Sequence, residues 1–253
     1  MDPFAFPPLT ALLDGAYSLL LSLATALEPL AGSASAAAAV VLVTLIVRVL
    51  LIPVGVSQAK AEQQRARLAP HLRALQKKHK KNPERLQREM MALYREHNTS
   101  PFAGMLPVLA QAPVIGILYT LFLRTEIAGH PNELLTQSLF GAPLGESLLG
   151  MLFTGTLPGS STLVVWGVLL AVVLVVADIT RRVFRPVASD DSPLSSPTML
   201  RVMSSLHYLT AVFAVFVPLA AALYLAVTVT WTLVQRMLLR RRYPLPQPAL
   251  SQG

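Results

Sequence analysis

The most chemically loaded residue in the sequence is an arginine set among aliphatic neighbours. Arg48 lies in Val43-Thr44-Leu45-Ile46-Val47-Arg48-Val49-Leu50-Leu51, past the midpoint of an apolar run. A guanidinium at that depth in hydrocarbon costs roughly 2.5 to 3.5 kcal/mol on insertion scales. Snorkelling toward the nearer interface offsets part of this. Two arrangements make the position tolerable. Either Arg48 faces a water-filled cavity, where it attracts anionic groups, or it pairs with a carboxylate on another helix, with Asp178 and Glu28 as the nearest acidic candidates. Other polar side chains interrupt the apolar runs: Gln111, Tyr119 and Thr120, then His207, Tyr208 and Thr210, then Tyr224, Thr228, Thr230 and Gln235. Singly, each is ordinary helix-packing glue. Taken with Arg48, the residues Gln111, Tyr119, Tyr224, Thr228 and Gln235 form the expected lining of one hydrophilic groove. The aromatics Trp166, Phe213, Phe216 and Trp231 read as lipid- or helix-packing residues.

A second concentration of charge is basic. None of the 21 Lys and Arg precedes Arg48, and eleven lie between Lys60 and Arg95. Lys60, Arg65, Arg73, Lys77, Lys78, Lys80, Lys81 and Arg85 are its candidate contact residues. Charge gathered beside apolar spans marks cytoplasmic-side loops rather than a nucleic-acid site. Enzyme signatures are missing. The chain has no HExxH, CxxC, phosphate-binding loop or GxSxG, and no pair of aspartates within its apolar runs. Asp190-Asp191 belongs to a loop. With no cysteine, thiolate metal sites, disulfides and a lipidated cysteine anchor are excluded. No cofactor, no metal and no catalysis of covalent chemistry are expected. A proton- or sodium-coupled transporter would bury a carboxylate and repeat its halves, and neither feature is visible.

The elements that hold these residues are membrane helices. Hydrophobic residues make up 53% of the chain and charged residues 13%, about half the charged fraction of a soluble domain. The predicted architecture is all-α, with five transmembrane helices, a cytoplasmic helical hairpin and an N-terminal interfacial helix. Residues 1–34 form an outer-side tail, where 9–27 lack the positive start of a signal peptide and read as an amphipathic interfacial helix. An additional spanning helix is the other reading of that stretch. The spans are 35–56, 102–123, 162–181, 199–217 and 219–239. The first is long enough to cross ~30 Å of hydrocarbon at ~1.5 Å per residue. Lys60, Arg65 and Arg67 follow it at once, so it leaves on the cytoplasmic side.

Between the first two spans, residues 57–100 repeat leucines at Leu68, Leu72 and Leu75, and apolar residues at Leu86, Met90 and Leu93. Lys81-Asn82-Pro83-Glu84 separates the sets, with Asn82 as cap, Pro83 in the first turn and Glu84 beside it. This predicts an antiparallel hairpin, with Pro70 kinking or splitting its first arm; a solvated basic loop is the alternative. Residues 124–161 carry Glu126, Glu133 and Glu146 but, past Arg124, no Lys or Arg. They read as an outer loop with short helices near 132–140 and 145–153. Residues 182–198 form a Ser-, Pro- and Asp-rich cytoplasmic loop. The apolar stretch from Met199 to Leu239 is twice a bilayer long, has Pro218 midway, and is basic at both ends. It therefore makes two spans that meet at an outer turn, leaving 240–253 as a cytoplasmic tail.

At this point the residues resemble the YidC/Oxa/Alb membrane protein insertases, in the short bacterial form without a large outer domain. The match is densest from Val41 to Phe122. It comprises the late arginine in VTLIVRVLLIP, the hairpin ending Gln87-Arg88-Glu89-Met90-Met91-Ala92-Leu93-Tyr94, then Pro101-Phe102-Ala103-Gly104-Met105-Leu106-Pro107, Gln111-Ala112-Pro113 and Tyr119. It continues more loosely at Pro218 to Tyr224.

The resemblance implies a bacterial plasma-membrane protein with its N-terminus outside and C-terminus in the cytoplasm. It implies a positively charged groove open to cytoplasm and lipid and closed to the outside. A nascent membrane protein's hydrophilic tail enters this groove, drawn by Arg48, while its apolar segment slides into lipid along the first, third and fifth spans. The hairpin meets substrate, membrane lipids, ribosome, signal recognition particle or its receptor, and the Sec translocon. The short tail after Arg242 departs from members with a long basic ribosome-binding tail. Two other readings stand beside this one: a small anion channel or transporter, and a non-catalytic assembly partner of a translocon.

Overall fold

The computed structural model describes residues 7–100, 106–127, 129–155, 157–184 and 205–245. The expected motif from Pro101 to Met105, the loop carrying Asp190 and Asp191, and the start of the fourth span lie outside the described residues, as does the tail beyond 245. Helix dominates. Among the described residues, three stretches are long and apolar enough to cross a membrane: Thr10–Leu50, Ser160–Val183 and Leu219–Arg242. Two shorter apolar helical stretches, Ala112–Leu123 and Leu206–Phe216, stand beside them. The chain divides into two compact units. The first holds residues up to Val49 and Ile115–Leu233; the second holds Leu50–Val114 and residues from Val234 onward.

In the first unit, α1 (Pro7–Ala31) and α2 (Ser35–Leu50) are joined by a single 3-10 turn over Gly32–Ala34. Gly32 takes φ +51° there, a conformation that favours glycine. Leu13, Tyr17 and Leu20 recur at helical spacing and bury one face of α1, while Leu12, Leu19 and Leu30 stay exposed. On α2 the buried stripe is Ala36, Ala37, Val40 and Thr44.

The second apolar helix is α5 (Leu106–Leu123), with Pro113 inside it. Its end is closed by a buried asparagine: Asn132 Nδ2 donates to the Leu121 and Arg124 carbonyls, each at 2.8 Å. Those are the acceptors a helix C-terminus leaves without intrahelical partners.

The connection from α5 onward contains small elements the sequence did not announce. β1 (Glu126–Ile127) pairs antiparallel with β2 (His130–Pro131), and β3 (Ser138–Leu139) with β4 (Ala142–Pro143). Between them α6 (Glu133–Thr136) is a single turn, and α7 (Leu148–Phe153) follows with Ser147 capping it through the Gly150 N–H. The expectation of two short helices at 132–140 and 145–153 thus becomes one turn, one hairpin and one short helix. Strands this short carry no periodic signal.

The remaining helices of the first unit are α8 (Ser160–Val183), α9 (Leu209–Phe216) entered by a 3-10 turn at Leu206–Tyr208, and the greater part of α10 (Leu219–Arg242). Pro218 separates α9 from α10, where the sequence places the turn. The first N–H groups of α10 lack intrahelical acceptors. Leu219 donates instead to Glu146 O and Ala220 to Leu144 O, both at 3.0 Å. The core joins Leu20, Val40, Leu121, Phe122, Leu134, Leu144, Trp166, Val173 and Leu219, all nearly inaccessible. Threonines on these helices return their hydroxyl protons to the carbonyl four residues back. Thr44 bonds Val40 O, Thr120 bonds Gly116 O, Thr180 bonds Val176 O and Thr230 bonds Ala226 O, at 2.6 to 2.8 Å.

The second unit holds the basic hairpin, the first half of α5 and the end of α10. Its first arm, α3 (Ile52–Lys78), starts immediately after Leu51, with Pro53 in its first turn. The apolar-to-basic change at residue 57 therefore falls inside one helix. Pro70 lies within α3 without ending it. The second arm is α4 (Pro83–Glu96), capped by Asn82, whose side chain accepts from the Arg85 N–H at 3.1 Å. Glu84 stands in the first turn, as the sequence predicts. The arms run antiparallel: Thr99 meets Gln64, the His97 ring meets His71, and Glu89 meets His79. Leu68 is buried in the seam.

Candidate functional site

Arg48 extends the inward stripe of α2. It stands four residues after Thr44 and eight after Val40, both nearly inaccessible, so it shares their face of the helix. Where those two are buried, Arg48 is only half-buried. No carboxylate among the described residues pairs with it. Of the two acids the sequence offered, Glu28 is exposed. Asp178 is engaged elsewhere. Its Oδ2 lies 2.7 Å from Arg182 Nε, and its Oδ1 accepts from the Tyr208 hydroxyl at 3.3 Å. The Arg181 guanidinium completes this cluster over the Tyr208 ring. A half-buried cation without a counter-ion attracts anions or water more strongly than a paired one.

One other groove candidate, Tyr224, makes an aromatic contact. Tyr224 is buried on α10, and its ring centroid lies 5.8 Å from that of Phe122 on α5. Tyr119 stands about one turn before Phe122 on α5, and Thr228 about one turn after Tyr224 on α10. Tyr119 is exposed. Thr228 departs from the back-bonding threonines: its buried Oγ1 has no hydrogen-bond partner among the described residues. No hydrogen bond or ion pair links Arg48 to Tyr119, Tyr224 or Thr228. The side chain of Gln111 lies outside the described residues.

Gln235 belongs to the second unit, where it fills the space over Gly55. A Cβ added to Gly55 would collide with the Gln235 amide. The sequence does not reveal the network beside it. Glu62 of α3 lies 3.1 Å from Arg236 and 3.4 Å from Arg240. Lys60 sits over the Tyr243 ring at 5.8 Å, and Gln63 donates to the Pro244 carbonyl at 2.8 Å. Opposite charges at 62, 236 and 240 were there to be seen, but a separation of 174 residues hides such a contact from any local reading.

The eight basic residues expected on the hairpin, Lys60, Arg65, Arg73, Lys77, Lys78, Lys80, Lys81 and Arg85, are all exposed. At its tip, Arg85 Nε lies 3.1 Å from Glu89 Oε1. His79 Nε2 stands 2.9 Å from the other carboxylate oxygen, an ion-pair distance whose geometry falls short of a hydrogen bond. The Arg85 bond holds the Glu89 carboxyl below its ordinary value of 4.5; desolvation works against this shift, and charge at His79 and Lys78 adds to it. Among the described residues, no group of three His, Cys, Asp or Glu could hold a metal ion.

Helices of spanning length, an arginine continuing the buried stripe of α2 and a basic hairpin are the features of a polytopic membrane protein. Residues 27–246 match the profile of the family described as 60Kd inner membrane protein, and the chain belongs to that family. It is similar to the Membrane protein insertase YidC of Clostridium perfringens, at 36% identity over 48% of this chain and 52% of the relative. The protein of the same name from Streptomyces avermitilis is 28% identical over 79% of this chain and 50% of its own length. That of Helicobacter pylori is 40% identical over 29% of this chain and 13% of the relative. The chain thus spans about half the length, or less, of the curated relatives it matches.

Proposed function

We propose that this chain is a membrane protein insertase. It gives the polar tail of a nascent membrane protein a transient hydrophilic station within the bilayer. The observation that carries this reading is Arg48: a half-buried guanidinium on the inward face of an apolar helix, with no carboxylate partner among the described residues. Family membership and the printed names of the relatives support it.

In this reading Arg48, Tyr119, Tyr224 and Thr228 line the groove, and Gln111 and Gln235 belong to the set on the sequence argument. The helices α2, α5, α8, α9 and α10 cross the bilayer of a bacterial plasma membrane, with the N-terminus outside and the C-terminus in the cytoplasm. Residues 57–100 form the cytoplasmic hairpin, 124–161 the outer loop, 182–198 a cytoplasmic loop and 240–253 the tail. α1 lies along the outer interface, which its contact with the outer loop at Tyr17 supports.

No covalent step is involved. Each polar group left unsatisfied in hydrocarbon costs several kcal/mol; a hydrated pocket with one fixed cation lowers that barrier for an acidic tail. Partition of an apolar segment of ~20 residues then drives the process without nucleotide hydrolysis. The exposed lysines and arginines of the hairpin meet the substrate, anionic lipid headgroups, and ribosome, targeting factor or Sec translocon.

The test is photocrosslinking from a reactive residue placed at position 48 to a single-span substrate with an acidic tail, in reconstituted vesicles. A crosslink that forms during insertion and disappears afterward is expected. Insertion no faster than the spontaneous rate, with no crosslink, would refute the reading; anion flux in its place would make the protein a channel.

A further inference from the structure

The structure places an exposed aromatic on a strained turn at the mouth of a spanning helix. β3 and β4 are joined by Phe140 and Gly141, whose φ values are +50° and +84°. Two left-handed residues in succession are the requirement of a tight hairpin turn, normally met by Asn, Asp or Gly. Gly141 suits it; a bulky phenylalanine at φ +50° does not. The ring is not repaid by burial, since Phe140 is 67% exposed.

The turn is nevertheless held in place. The Gly141 carbonyl accepts from the Thr162 hydroxyl at 3.5 Å, and a Cβ at Gly141 would meet Ser161 Oγ at 3.2 Å. Both partners belong to the first turn of α8, which begins at Ser160. Phe140 is therefore fixed level with the point where a 24-residue apolar helix begins. Leu157, three residues before that helix, is 89% exposed, and Leu163 and Val164 in its first turn are 52% and 64% exposed. Residues 125–160 contribute Glu126, Glu133 and Glu146 and no Lys or Arg. Three carboxylates in the loop 124–161 outnumber Arg124, the single Lys or Arg in it, so the loop is not drawn to anionic headgroups and apolar insertion is the force that suits Phe140 and Leu157. Phe and Leu side chains exposed beside the end of a spanning helix can bury themselves at the boundary between headgroups and acyl chains.

We propose that Phe140 is an interfacial anchor. Together with Leu157 it inserts into the headgroup–acyl boundary of the outer leaflet and sets the depth at which α8 enters the bilayer. The occupant of this apolar patch is lipid, neutral or charged. The proposal rests on the reading of α8 as a span with Ser160 on the outer side.

Because the chain contains no cysteine, a single cysteine gives a unique label. Three full-length variants, Phe140→Cys, Leu157→Cys and Val172→Cys, each carry an environment-sensitive fluorophore in phosphatidylcholine vesicles. Quenching is measured by aqueous iodide and by lipids bearing spin labels at shallow or deep acyl positions. The label at 172 reports the span: deep quenching there establishes it, and iodide quenching there would remove the premise. Given a spanning α8, labels at 140 and 157 are expected to lose emission to the shallow lipid quencher and keep it against iodide, with no dependence on salt. Iodide quenching at both would overturn the anchor. Protection from both quenchers that relaxes as the protein is diluted would overturn it too, since a second copy would then cover the patch. Adding Phe140→Asn, which suits the turn but removes the ring, is expected to move the label at 157 toward iodide; an unchanged label would also refute the role.

Discussion

Tyr17 and Glu133 meet through a 2.7 Å hydrogen bond from the Glu133 backbone N–H to the Tyr17 hydroxyl, across 116 positions of sequence. The same hydroxyl donates to the Pro131 carbonyl at 3.3 Å. One phenol on α1 thereby satisfies the start of α6 and the end of β2. Tyr17→Phe keeps the buried ring and removes both bonds. The expected loss is about 1 kcal/mol per bond, seen as a lower unfolding midpoint in detergent, while spans and hairpin stay helical by circular dichroism.

Arg48 should act through charge rather than shape. With a carboxylate about 4 Å away, the attraction lies between ~1 and ~4 kcal/mol as effective permittivity falls from about 80 to about 20. Arg48→Ala is therefore expected to slow insertion of acidic-tailed substrates roughly tenfold or more and to leave neutral tails nearly unaffected. Arg48→Lys should retain most of the activity. Protease protection of the translocated tail measures all three; equal losses on acidic and neutral tails would count against an electrostatic role.

Glu62 ties the root of α3 to the end of α10. Its side chain and that of Arg236 are each 41% exposed, so solvent screens the pair, and Glu62→Gln should cost less than about 1 kcal/mol, fading as salt is raised. Glu62→Lys sets a third cation against Arg236 and Arg240. Amide hydrogen exchange over residues 52–78 is expected to accelerate for the lysine variant well beyond the glutamine one.

At the hairpin tip the pH dependence has a defined sign. The Glu89 carboxyl titrates below 4.5 when folded, so its contribution is complete above the ordinary carboxylate range and disappears as pH falls through the lowered value. Arg85→Ala removes the largest cause, and the midpoint of Glu89 followed by carbon-13 NMR should rise. A midpoint that stays put would mean that the Arg85 bond does not govern the carboxyl.

How much of this was legible beforehand depended on distance along the chain. The Asn82 cap with Pro83 and Glu84 needs four consecutive residues, and the turn at Pro218 needs one proline midway in an overlong apolar run; both were readable. The onset of α3 was not. Composition changes near residue 57, whereas the helix restarts at Ile52, because a proline in the first turn sets the boundary and polarity does not. The ladders at 126–131 and 138–143 are too short for alternation to show. For the site, residue type exposed Arg48, since a cation in an apolar run is anomalous whatever the fold. The Phe122–Tyr224 contact, the engagement of Asp178 by Tyr208 and the unbonded hydroxyl of Thr228 are facts of tertiary placement.

The back-bonding threonines bear on how such sequences should be counted. A hydroxyl that gives its proton to its own helix presents mostly a methyl group to its surroundings. Thr44, Thr120, Thr180 and Thr230 are therefore camouflaged, polar on a hydropathy scale and close to valine for whatever packs against them. A count of polar letters along the helices therefore overstates how many groups there have protons and charges left to offer.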